Sequence, residues 1–173
     1  MKLIVDQYGI IDSDLYAGAD LLNQGYAALA GLVNGIGGSE GGPLPGFLVQ
    51  ATTTQKEVDL ADGAALTGAL LGIIVSDDYI AANPPAGNGP GKVWKTAGVE
   101  AAINVAYIPG VRVTVEAYAV RNELNASDLS YAAGDLLYRS TFGCLTKDNS
   151  TAPEALGHVV AVNADGTLDV ILN

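Results

Sequence analysis

His158 and Cys144 are the only imidazole and the only thiol in a chain of 173 residues. Any nucleophilic or metal chemistry that needs nitrogen or sulfur must start from them. They stand fourteen positions apart, close enough to meet across a β-hairpin. A meeting would supply a base and a nucleophile, but acyl transfer also needs an orienting carboxylate and an oxyanion hole. Cys144 lies between Gly143 and Leu145 in a strand-like run, where a small buried thiol is the simpler reading, because a nucleophile needs a basic neighbour to lower its pKa. In the run LGHVVAV, alternation puts His158 on the face opposite Val159, a packed or surface position. No catalytic residue is expected.

The remaining candidates for chemistry fare no better. Zinc takes three or four nitrogen or sulfur ligands, and the chain owns two such side chains. The acidic runs SDD (76–78) and KDN (147–149) bring two or three oxygens each without the spacing of a calcium loop, and they read as turns. The glycine-rich run NGIGGSEGGPLPG (34–46) is followed by prolines, whereas a phosphate cradle needs a helix and usually a lysine. Lys147, in TKDNS, lacks the flanking residues of a biotinyl or lipoyl carrier hairpin. Carboxylates are plentiful, but the aromatic platforms that hold sugars are scarce, with one Trp and two Phe. Trp94, flanked closely by Lys92 and Lys95, reads either as a contact residue or as a core residue. No metal and no cofactor is expected.

Composition narrows the partners. Eight Lys and Arg stand against nineteen Asp and Glu, for a formal net charge of -11. No segment gathers the clustered cations that polyanions require, so neither nucleic acid nor an anionic membrane surface is an expected partner. The chain is 49% hydrophobic and only 16% charged, which excludes an acidic disordered protein and points to surface covered by copies of itself or by a host assembly. The apolar start, MKLIV, meets Asp6 too early for a signal peptide. Every longer apolar run is broken by charge or glycine, so synthesis in the cytoplasm is the expectation.

The elements that must position these residues are mostly strands. From Phe47 onward, FLVQATTT, LTGALLGIIVSDD, KVWKT and INVAYIPGVRVTVEAYAV carry strand character, and Val111, Val113 and Val115 alternate with polar residues across a Pro-Gly turn. After the polar connection RNELNASDLSYAAG come four short strands, GDLLYRST, GCLT, LGHVVAVN and TLDVIL, with a hairpin signal at Asp165-Gly166. ANPPAGNGPG (82–91) reads as an inserted exposed loop. The expected fold is mainly β, a small antiparallel β-barrel or β-sandwich over residues 43–173. Residues 1–42 read differently, as an arm with a glycine-rich linker. Leu15, Ala19, Leu22, Tyr26, Leu29 and Val33 recur every three or four residues and predict a short helix on that arm. A faint echo also links ALLGIIVSDD (69–78) with EALGHVVAVNADG (154–166), as though one strand type, with a glycine where neighbouring backbone comes close, were used twice.

GDLLYRSTFGCLT and ALGHVVAVNADGTLDVILN, with Gly134, Asp135, Tyr138, Gly143, Leu145, Thr146, Gly157 and the terminal Leu172-Asn173, resemble the closing pattern of capsid decoration (cement, or head-stabilising) proteins of tailed bacteriophages. The resemblance covers about the last forty residues, loosely also Ala61 to Asp78, and not the arm. It implies a β-barrel or β-sandwich on the outside of an icosahedral shell, often as a homotrimer, bridging neighbouring capsomers. The major capsid protein and further copies of the chain are then the partners, the virion exterior is the location, and no family residue is catalytic. Leu15, Leu22, Tyr26, Leu29, Val33 and Trp94 are the candidate interface residues, with residues 3–33 and 82–91 making the contacts. On that view, removing residues 1–42 weakens attachment and leaves the β domain folded. Another virion part (tail tube, spike or head-fibre base) and a small β-barrel hydrolase are the alternatives.

Overall fold

The computed structural model describes residues 3–7, 11–75 and 102–173. The loop expected at 82–91 and Trp94 lie outside the described residues. The elements run β1 (Leu3–Gln7), β2 (Ile11–Ala17), α1 (Ala19–Leu22), a 3-10 turn (Ala27–Leu29), β3 (Leu48–Ala51), β4 (Glu57–Leu60) and β5 (Leu70–Ile74). They continue as β6 (Ala102–Tyr107), β7 (Val111–Val115), β8 (Leu136–Arg139), β9 (Leu145–Thr146), β10 (Gly157–Val162) and β11 (Leu168–Leu172). The fold is mainly β, as expected. Five strands close into a barrel in the order β2-β4-β3-β5-β6, and the other six form a half-barrel sheet in the order β1-β7-β11-β10-β8-β9.

The two sheets are built on one plan. In the barrel β2 pairs antiparallel with β6, β6 with β5, β5 with β3 and β3 with β4, and the circle closes where β2 runs parallel to β4 at Ala17–Val58. In the second sheet β7 pairs with β11, β11 with β10, β10 with β8 and β8 with β9, all antiparallel. The chain beyond β7 then meets β9 in parallel at Tyr118–Leu145. The register repeats too. Gly72 faces Val49 on one side and Tyr107 on the other, and Gly157 faces Leu137 and Leu172.

The two glycines show why the plan recurs. A β-carbon on Gly72 would lie 2.1 Å from the carbonyl oxygen of Ala106, and one on Gly157 would lie 1.9 Å from that of Ile171. Each strand passes so close to its neighbour's backbone that only glycine fits. The echo in the sequence is therefore a packing constraint used twice. Gly46 and Gly134 open β3 and β8 at φ 90° and 91°, a left-handed conformation that glycine adopts without strain.

The first 42 residues are not a separate arm. β1 lies along β7 and β2 is a stave of the barrel. The helix expected across 13–33 is confined to four residues, Ala19–Leu22. Glycines at 18, 25 and 31 break the longer helical pattern, and the apolar residues are turned inward by strand, turn and bridge instead. The glycine-rich run 34–46 is not a free joint either. Asn34 donates its N–H to the Tyr118 carbonyl, Gly42 to Gln24 and Gly46 to Ile74, and Ile36 is buried.

Two apolar clusters knit the modules together. The barrel interior holds Leu15, Val49, Val58, Ile74, Ile103 and Val105. The half-barrel interior holds Val113, Leu137, Val159 and Val170, and it also receives Leu48, Ile73 and Ala106 from the outside of the barrel wall. The buried guanidinium of Arg139 adds a polar tie, donating to the carbonyls of Gly63 (2.7 Å), Ala61 (3.3 Å) and Ala64 (3.3 Å) in the loop after β4. Its N–H groups are thereby satisfied by backbone carbonyls, and the carboxylates of Glu123 and Asp62 act on its charge.

Candidate functional site

The structure does not bring His158 and Cys144 together. Cys144 follows the turn after β8 and is fully buried in the barrel-side cluster. Its backbone N–H and carbonyl both bond the Ser140 hydroxyl, which also lies 3.3 Å from the sulfur. Burial pushes the thiol pKa up to about 12, so at neutral pH it stays protonated and is a poor nucleophile. His158 sits on β10 with its side chain on the outer face, opposite Leu136 on one side and Ile171 on the other. Lys147 is engaged too: its Nζ donates to the Ser130 carbonyl (2.5 Å) and the Asp135 carboxylate (3.1 Å) and lies over the Tyr131 ring. Among the described residues no group of three or more His, Cys, Asp or Glu is placed to hold a metal ion. Among them, too, no helix is long and apolar enough to cross a membrane.

Three of the six interface candidates are buried and two are half-buried. Tyr26 is fully buried, with its ring 4.8 Å from Phe47 and its hydroxyl on the Gly42 carbonyl at 2.7 Å. Burial raises its pKa. Leu15 and Val33 are buried in the same cluster, and Leu22 and Leu29 are half-buried against it. Leu15, Tyr26 and Val33 are spent on the chain's own core, while Leu22 and Leu29 keep part of their surface outside it. The sixth, Trp94, lies outside the described residues.

The surface that sequence reasoning missed emerges from the pairing register. Arg112, Ile171, His158 and Leu136 stand side by side on β7, β11, β10 and β8, one residue per strand, all facing outward. Leu136 is 53% exposed, and Val162, further along β10, is 49% exposed. Both are among the most exposed large apolar side chains of the described residues. The row has a counterpart in the barrel at the same register positions: Ile11, Ala106, Ile73 and Leu48 on β2, β6, β5 and β3. There the row is covered. Leu48, Ile73 and Ala106 are buried in the half-barrel cluster, and Ile11 packs against it. One position on one plan is a packed interface in the first module, whereas in the second, among the described residues, Arg112 and Leu136 are exposed and Ile171 and His158 half-buried.

Along this row Ile171 and Leu136 offer apolar area, and Arg112 and His158 offer polar groups beside them. Comparisons of the chain with protein families, with curated proteins and with solved structures give no match.

Proposed function

We propose that this chain is a structural virion protein that decorates the outer surface of an icosahedral bacteriophage capsid and stabilises it by bridging neighbouring capsomers. The observation that carries the reading is the outward row Arg112–Ile171–His158–Leu136, in which apolar and cationic or polar side chains alternate, and whose counterpart in the first module is already used to bury one module against another. The residues that resemble decoration proteins support it from a second direction. Gly134, Tyr138, Gly143, Leu145, Gly157 and Leu172 belong to one contiguous module, β8 to β11, whose glycines meet turns and close backbone contacts. A net charge of -11 suits a protein that stays outside a shell packed with nucleic acid. In this reading the partners are the major capsid protein and further copies of the chain, as a homotrimer, and no single reactive residue is needed because many weak contacts add over many copies.

The test is stoichiometry and attachment. Particles from a lysate containing the protein should carry it at a ratio near one to one with the major capsid protein by gel densitometry. Replacing Leu136 and Ile171 by Asp should lower occupancy on shells at least tenfold while the circular dichroism of the free protein is unchanged. A few copies per particle would move the protein to a tail or spike, and complete absence from particles would overturn the reading.

A further inference from the structure

We propose that β1 is an exchangeable strand, and that in the assembled protein the place beside β7 is filled by β1 of a second copy of this chain. The case is independent of what the protein binds. It begins with the shared plan of the modules. The barrel closes with five strands, β2 touching β4 directly. The half-barrel has the corresponding five strands and makes the corresponding parallel contact at Tyr118–Leu145, but β1 lies along the edge of β7 as a sixth. Among the described residues the first module closes without a sixth strand.

β1 is thus a donated element. Its paired residues all lie on β7, in the register Leu3–Val115, Ile4–Thr114, Val5–Val113 and Gln7–Arg112. Covalently it belongs to the other module, joined to β2 by three residues, Tyr8, Gly9 and Ile10. When an identical strand is exchanged between copies, every pairing in the acceptor is preserved, so the balance is decided by the hinge and by protein concentration. The sequence between the two strands is short, and short hinges invite exchange. Leu3, Ile4 and Val5 are apolar, so a strand that leaves its own β7 gains most by entering another. Donor and acceptor sit on different modules, so two copies can exchange strands reciprocally as a dimer, and a one-way exchange is head-to-tail.

The experiment uses the full chain with cysteines placed opposite one another. Ile4–Thr114 and Val5–Val113 are successive antiparallel pairs, so one of them is the closer, non-hydrogen-bonded kind whose Cα atoms sit about 4.5 Å apart, within disulfide range. Cys144 is buried and its thiol protonated, so it does not compete. A chain carrying Ile4→Cys is refolded together with a chain carrying Thr114→Cys and mildly oxidised, and Val5→Cys with Val113→Cys is run in parallel in case the first pair fails to fold. The expected result is a disulfide-linked species at twice the single-chain mass of 17.6 kDa on a non-reducing gel, lost on reduction. Three results overturn the proposal. One is that a chain carrying both Ile4→Cys and Thr114→Cys forms only an intrachain disulfide while the mixed single variants give no cross-linked product. Another is a native mass of one chain for the unsubstituted protein by light scattering. The third is absence of any disulfide at both pairs, since β1 would then not lie on β7.

Discussion

The barrel and the half-barrel solve the same problem with different endings. Both join the first and second strands of the shared plan, β2 to β3 and β7 to β8, by a long connection, residues 18–47 in one and 116–135 in the other, and both pin that connection with a tyrosine in a Tyr-Ala-Ala run, at 26–28 and 131–133. The Tyr26 hydroxyl donates to the Gly42 carbonyl at 2.7 Å, and the Tyr131 hydroxyl donates to that of Ala119 at 2.5 Å. The endings differ at the strand that closes the circle. In β2 the edge carries Asp12 and Asp14, and the Asp14 N–H is already bonded to the Asp12 carboxylate. The same stretch of β7 is Val113, Thr114 and Val115, and it takes β1. A charged, self-bonded edge resists strand addition and a β-branched one invites it. The plan of a module is therefore set by glycines and turns, while its openness to partners is set by a few side chains on one strand.

The strongest way to break the comparison is at the shared glycines. Gly157→Ala and Gly72→Ala each place a carbon at 1.9 Å and 2.1 Å from a backbone oxygen, which forces two paired strands apart. Each should cost about 3 kcal/mol or more in chemical denaturation. Because Leu48 and Ile73 of the barrel sit in the half-barrel's cluster, both variants should lower a single transition rather than split it. If alanine were tolerated at one glycine and not at the other, the two strands would not be equivalent.

The tyrosines give a finer test. Tyr26→Phe and Tyr131→Phe each leave a backbone carbonyl without its donor, a loss of about 1–2 kcal/mol. The larger loss is expected at Tyr26, which is fully buried, whereas Tyr131 is partly buried beside Tyr118 at 5.0 Å. Equal losses would mean that the two connections are fastened alike in energy as well as in geometry, and can be read from paired urea curves.

How much of this was legible in the sequence follows from what each residue type can say alone. β7 was readable because Val111, Val113 and Val115 alternate without interruption, and β8 to β11 because glycine or a turn signal ends each one. The barrel's first stave was not. A bulge between Asp12 and Leu15 breaks the alternation of β2, and the residues after it pass through four residues of helix and a 3-10 turn, so inward-facing positions fell at helical spacing by coincidence. β4 was missed because Glu57 and Asp59 are weak strand formers. The Gly72 and Gly157 echo did carry the repeat, and the Tyr-Ala-Ala pair was a second signal for it. The candidate surface had no signal at all. Arg112, Ile171, His158 and Leu136 are distant in sequence and become one row only once the register of four strands is known.

The smallest expected effect separates the modules by pH. On β4, the Asp59 carboxyl is raised above its ordinary value by partial burial, reinforced by Asp20, Asp62 and Glu57 nearby. At the start of β8, the Asp135 carboxyl is lowered by the Ala132 N–H and by Lys147. The signs are opposite. A raised acid binds its proton more tightly in the folded state, so Asp59 weakens folding at neutral pH, and that penalty disappears as pH falls from its folded value to the ordinary one near 4. A lowered acid does the reverse: Asp135 stabilises fully above the ordinary value, and the gain is lost as pH falls further toward its folded value. Asp59→Asn should therefore flatten stability above about pH 4, and Asp135→Asn should flatten it below. Both groups are partly exposed and screened by water, so each change should be about 0.5 kcal/mol or less. Denaturation midpoints measured across that range would resolve the two. A curve that flattened in the same window for both variants would show that the acids of the two modules sense one shared field rather than their own neighbours.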